Sequence, residues 1–175
     1  MSAETFTTAM FLITAVIAAG VLINAVFPVV YQMAGTFSSA THASDVRLRT
    51  DFTIVTTFAT STPLSGQIFM KNIGTQSITM SEITRSSDVF FGPVGSVQRL
   101  GYSGTPGSST PGPAGIAGTW TFKLYDNNNN NVWDPGETLE IDAYTTVPTS
   151  SSGTPVSFQF ILPDGVWRSS QFTVG

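Results

Sequence analysis

The chain has 175 residues, a net charge of −4, no cysteine, and charged side chains at only 10% of its positions. The missing cysteine excludes a disulfide framework, a cysteine-bound zinc site and a thiol nucleophile. Seven basic residues are too few to build a nucleic-acid surface. The length suits one domain with an appendage.

The appendage comes first. Between Glu4 and Asp45 there is no Asp, Glu, Lys or Arg, and Ala9 to Tyr31 is almost wholly apolar (AMFLITAVIAAGVLINAVFPVVY). As a helix, these roughly 23 residues would extend about 34 Å, enough to cross the hydrocarbon core of a bilayer. A secretory signal peptide would need a basic start, and MSAETFTT has none. A buried core helix would carry a polar stripe, whereas this segment is apolar on all sides. The expectation is a helix that spans a membrane or forms the core of a polymer. Pro28 withholds a donor from the carbonyl of Asn24 and invites a bend. The Asn24 side chain either caps that kink or bonds across a helix pair. The expected organisation is helix and polar stalk over 1–45, then a β domain over 46–175.

After the polar stretch GTFSSATHASD, short runs alternate with period two. They are VRLRTDFTIVTTFAT, GQIFMKNIG, QSITMSEI, SDVFFG, SVQRLGY, TWTFKLY, ETLEIDAYTTV, PVSFQFIL and SQFTV. Gly, Pro, Asn and Asp punctuate them, which predicts an antiparallel β-sandwich with no second helix. The low-complexity stretch 104–118 is predicted to be a long exposed loop. Trp120, Phe122, Phe158 and Phe160 fall at strand positions that suit a core.

One turn stands out. With Asp126 as position one, positions three, five, seven, nine and twelve are Asn128, Asn130, Val132, Asp134 and Glu137. This is the ligand spacing of a twelve-residue calcium loop, with a main-chain oxygen at Val132 and a chelating Glu137. Asn131 occupies the sixth position, where a positive φ is required, and Trp133 would tether the loop to the body. Strand-like flanks exclude a helix–loop–helix hand, and three charged ligands predict modest affinity. The competing reading is a solvated turn that needs no ion.

Catalysis finds little support. The lone histidine, His42, lies in the polar stalk without a nucleophile elbow. Glu140 and Asp142 alternate on a strand and are expected on one wet face. No phosphate-cradling or dinucleotide fingerprint occurs.

The order of parts resembles the archaeal flagellin-like (archaellum) pilin family, which includes the archaellins and the accessory or stator proteins of the ArlF and ArlG type. FLITAVIAAGVLINAVFPVVY is similar to the helix of that family, and MKNIGTQSIT to its KN-x-G strand–turn–strand. LYDNNNNNVWDPGETLEI and FILPDGVWRSSQFTV also resemble its sequences. The resemblance covers nearly the whole chain. It implies a pilin-like architecture, with a long N-terminal hydrophobic helix and an Ig-like β-sandwich held outside the cell. The implied partners are other archaellum subunits met through the helix, the membrane and a surface-layer protein, in a homo-oligomer or filament. No short basic leader of the archaellin kind precedes MSAETF, which fits either a mature form or a protein inserted uncut, as in the accessory proteins, and no Asn-x-Ser/Thr sequon occurs. Both departures favour a stator or anchor over a polymerising filament subunit. A calcium-dependent surface adhesion module is the reading from another class.

Overall fold

The computed structural model describes residues 3–147 and 151–175. It divides into two compact units, Met1–Ser44 and Asp45–Gly175. Helix α1 (Ala3–Arg49) continues without a break for 47 residues, about 70 Å of helix, through Pro28 and the polar stalk, and buries none of them. Among the described residues, therefore, nothing covers its apolar surface.

The helix ends later than the sequence indicates. VRLR at 46–49 alternates like a strand but forms the last helical turn. Asp45 and Arg49 pair at 3.6 Å one turn apart, and Arg47 and Arg49 place positive charge at the negative end of the helix dipole. The Thr50 N–H and hydroxyl both donate to the Val46 carbonyl and close the end.

The body follows as β1 (Phe52–Ser61), β2 (Leu64–Asn72), β3 (Ile78–Thr79), α2 (Met80–Ser86), β4 (Asp88–Pro93), β5 (Gln98–Tyr102), β6 (Thr119–Tyr125), β7 (Val132–Trp133), β8 (Thr138–Tyr144), β9 (Pro155–Ile161) and β10 (Trp167–Thr173). Strand order is β1-β2-β8-β6-β5-β4-β9-β10, with β3 and β7 forming a separate pair. Two layers result, β1-β2-β8-β6 and β5-β4-β9-β10. They are joined where β5 and β6 run parallel over two residue pairs, so the sandwich is not wholly antiparallel. Alternation does the sorting. On β2, Leu64, Ile68 and Met70 turn inward, and on β9 Val156, Phe158 and Phe160 answer them. Phe52 meets Phe160 edge-on at 5.6 Å, and the Phe91 ring presses so closely on Gly66 that a Cβ there would lie 2.7 Å away. Trp120, Phe122, Phe158 and Phe160 are all buried, as their spacing predicts.

A second helix does form, against expectation. QSITMSEI gives only the two-residue β3 before α2 begins. Thr79 caps that helix by accepting the Glu82 N–H at 3.3 Å, and the T-x-x-E spacing that signals such a cap is visible in the sequence. Residues 103–118 form no strand or helix. They are nevertheless tied down, by the Tyr102 hydroxyl to the Thr110 carbonyl at 2.7 Å and by the Thr121 hydroxyl to the Gly112 carbonyl at 2.8 Å.

Candidate functional site

The Asn-rich loop lies at the pole of the body where α1 ends, and Asn72 is the node between them. Its carboxamide donates to the carbonyls of Gln76 and Trp133 at 2.9 and 3.0 Å, and its Oδ1 accepts the Gly74 N–H at 3.0 Å. Its backbone exchanges bonds with Glu137 and Gly136. The same turn caps the helix, since Gly74 donates to Asp51 and Thr75 to Arg49. Gly74 has to be glycine here, because a Cβ would lie 2.5 Å from backbone atoms of Arg49 and Asp51. The KN-x-G motif is thus a joint between helix end, β2 and the loop. Asn72 carries more of the local structure than its place in a strand-like run indicates.

Within the loop, the Asp126 carboxylate faces inward and accepts the N–H groups of Asn128, Asn129 and Asn131, the last at 2.8 Å. Asn129 and Asn131 have φ of 58° and 57°, the left-handed conformation that Asn tolerates best after Gly. Asn128 Oδ1 accepts from Asn130 N–H, and Asn130 Oδ1 from Val132 N–H. The NH2 groups of both asparagines converge on Asp134 Oδ2 at 2.9 and 2.8 Å. Hydrogen bonds from Ser77, Asn128 and Asn130 hold the Asp134 carboxyl below its ordinary pKa. Glu137 is 4% exposed and spans the loop, its two oxygens accepting the N–H groups of Asn127 and Asp134 at 2.9 and 3.1 Å. Trp133, fully buried against Phe52, anchors the loop and donates its indole N–H to the Glu137 carbonyl at 3.0 Å.

All six residues of the spacing are therefore brought into one loop, but in this arrangement its oxygens are used by its own N–H groups. Asp134 Oδ2 receives the carboxamide NH2 groups of Asn128 and Asn130. Among the described residues no three His, Cys, Asp or Glu side chains come together as a metal group.

The second acidic feature corrects an expectation. Glu140 and Asp142 do share the outward face of β8, yet Glu140 is buried there and Asp142 only partly exposed. Glu140 is 6% exposed, held by the Tyr125 hydroxyl at 2.8 Å and Gln67 at 3.4 Å. Burial first, and then the charge of Glu140, raise the pKa of Asp142. Cross-strand register puts Gln67 and Tyr125 within reach of Glu140, and no sequence spacing discloses that. His42 stays exposed on α1.

The comparisons with known proteins agree with this architecture. A family model described as archaeal-type flagellin matches residues 7–172. The chain belongs to the archaeal-type flagellin family. An uncharacterized protein of Archaeoglobus fulgidus is 23% identical over 175 residues, 99% of each chain. Among solved structures, the archaellum periplasmic stator protein FlaG of Sulfolobus acidocaldarius is similar at 25% identity and TM-score 0.52, over 70% of this chain and 99% of that one. FlaG and FlaF of the same organism, solved as a stator complex, give 25% identity and TM-score 0.50, covering 69% of this chain and 87% of the matched one. The archaeal flagellum of Methanospirillum hungatei shares the fold at 11% identity and TM-score 0.65, over 97% of this chain and 93% of that one. The flagellin family and these neighbours are structural components of the archaellum, not enzymes.

Proposed function

We propose that this flagellin-family chain is a membrane-anchored archaellum component that serves as a stator or anchor, with its β body outside the cell. One observation carries the reading: the chain matches a stator protein over 99% of that protein's length at 25% identity, higher than the 11% to the filament chain. The physics of the helix supports it. An uncharged segment with no buried residue must leave water, and a bilayer of about 30 Å accommodates its apolar part. The body's low charge and Ser/Thr-rich edges suit contacts with neighbouring subunits and a surface layer.

The test is a deletion strain combined with fractionation. An anchor stays in the membrane fraction, is scarce in sheared filaments, and its loss leaves filaments that do not rotate. Finding the chain as the main protein of sheared filaments would sink the reading. That result would support the second reading, a polymerising filament subunit, which is favoured by the match in fold along helix and body together. Calcium in the Asp126–Glu137 loop is a separate proposal, resting on ligand spacing alone. Calorimetry at millimolar calcium decides it: a saturable heat abolished in an Asp126→Ala, Glu137→Ala double variant supports the ion, and no heat leaves a plain turn.

A further inference from the structure

The outer face of β1, β2, β8 and β6 carries Asp142, a carboxylate bonded by Gln67 but with its Oδ1 unpartnered, beside the rings of Phe58 and Tyr144. Register places Gln67 and Thr121 on either side of Asp142, with Phe58 beyond Gln67. Asp142 Oδ1 is shielded from solvent and has no hydrogen-bond partner among the described residues. Beside it opens a cavity of about 160 Å³, lined by Phe58, Thr60, Ser65, Gln67, Asp142 and Tyr144. Phe58 is 56% exposed and meets Phe69 edge-on at 6.3 Å. Lys123, the basic residue on neighbouring β6, sits over the Tyr125 ring at 4.8 Å, and its charge acts on Asp142 from there without a direct ion pair. Three other acidic residues, Asp45, Asp51 and Asp88, already hold arginines of their own chain.

The shape and charge of this site select its ligand. A metal ion would need several converging oxygens, but the Thr60 and Ser65 hydroxyls bond to each other at 2.7 Å and Glu140 is held by Tyr125 and Gln67. A guanidinium needs only one carboxylate edge and an aromatic face. It is planar, weakly hydrated, and stacks on rings while donating in pairs. We propose that this face docks a neighbouring protein through one arginine side chain, whose guanidinium enters the cavity between Phe58 and Tyr144 and pairs with Asp142. The docking stands on the body's own geometry and serves an anchor or a filament subunit alike.

Protonation links to it. The ionisable groups facing Asp142 are Glu140 and Tyr144 on its own strand and Lys123 and Tyr125 on β6; β2 contributes the neutral Gln67 and β1 only Phe58 and Thr60. A guanidinium favours the ionised carboxylate, so affinity rises as pH climbs through the raised pKa of Asp142.

The experiment uses full-length protein in detergent micelles, labelled with 3-fluorotyrosine and followed by fluorine NMR. The probes are acetyl-Gly-Arg-Gly-amide and its citrulline counterpart, which keeps the shape and loses the charge. The arginine peptide should shift the Tyr144 signal saturably, at least tenfold more tightly than the citrulline peptide. Asp142→Asn should weaken it at least tenfold, and Glu82→Gln, a remote acid, should leave it unchanged. A thermal melt of Asp142→Asn at or above the parent shows that lost binding is not lost folding. Equal affinity for the two peptides, or an Asp142→Asn protein that binds like the parent, overturns the proposal.

Discussion

Two acidic regions a few residues apart on one chain are solvated in opposite ways. In the Asp126–Glu137 loop every carboxylate oxygen that matters has an N–H donor, and the pKa of Asp134 is lowered. On the β8 face Glu140 is satisfied, whereas Asp142 keeps one oxygen without a partner and, chiefly through burial and then the charge of Glu140, has a raised pKa. Carboxylates that have found donors build structure, and a carboxylate left wanting is free to recognise something else. The loop is thus scaffold for the pole where the helix ends, and the face is a surface for contact.

Four perturbations test that contrast, each followed by thermal or urea unfolding of the full chain in detergent. Trp133→Ala removes the loop's anchor from a fully buried site and should cost about 4 kcal/mol. If it costs under about 1 kcal/mol, the loop does not bear on the body's packing. Glu137→Ala leaves the N–H groups of Asn127 and Asp134 without their acceptor at a buried position, for a loss of about 3 kcal/mol. Asp126→Ala acts at a more exposed point and should cost about 1 kcal/mol, because water can replace the carboxylate. Asp142→Asn should do the reverse and modestly raise the melting temperature at pH 7. A destabilised Asn variant would remove the distinction between the regions.

The pH dependence sharpens the same comparison. Asp142 binds its proton more tightly when folded than when unfolded. The stability linked to it is present below the unfolded pKa and is lost as pH rises through the raised folded value. Asp134 works the other way. Its contribution is present above the unfolded pKa and is lost as pH falls through its lowered folded value. Melting the parent beside Asp142→Asn and Asp134→Asn should therefore show differences in two windows, one at and above the ordinary carboxylate range and one below it. Coincident profiles would remove the electrostatic contrast.

Much of this was legible from residue order. The apolar segment announces a helix that leaves water because no charge interrupts it between Glu4 and Asp45. Strand periodicity places most of the core, and the spacing from Asp126 to Glu137 marks a built loop in which Asn131 takes a left-handed conformation. VRLR misleads, since two-residue alternation cannot show that a preceding helix has a further turn to run. QSITMSEI misleads for a different reason: its β-branched residues mask a capping box at Thr79 and Glu82.

The sequence by itself determined which segments flee water and which must turn, because those follow from side-chain transfer and backbone sterics within a few residues. Only the tertiary structure decided the fate of each polar group. Asn72 becomes a joint because its side chain bonds both the loop and the 74–76 turn that caps the helix, and Glu140 is buried because β2 and β6 bring Gln67 and Tyr125 to it. Whether a carboxylate is satisfied depends on neighbours tens of residues away, and those neighbours are assigned by strand order.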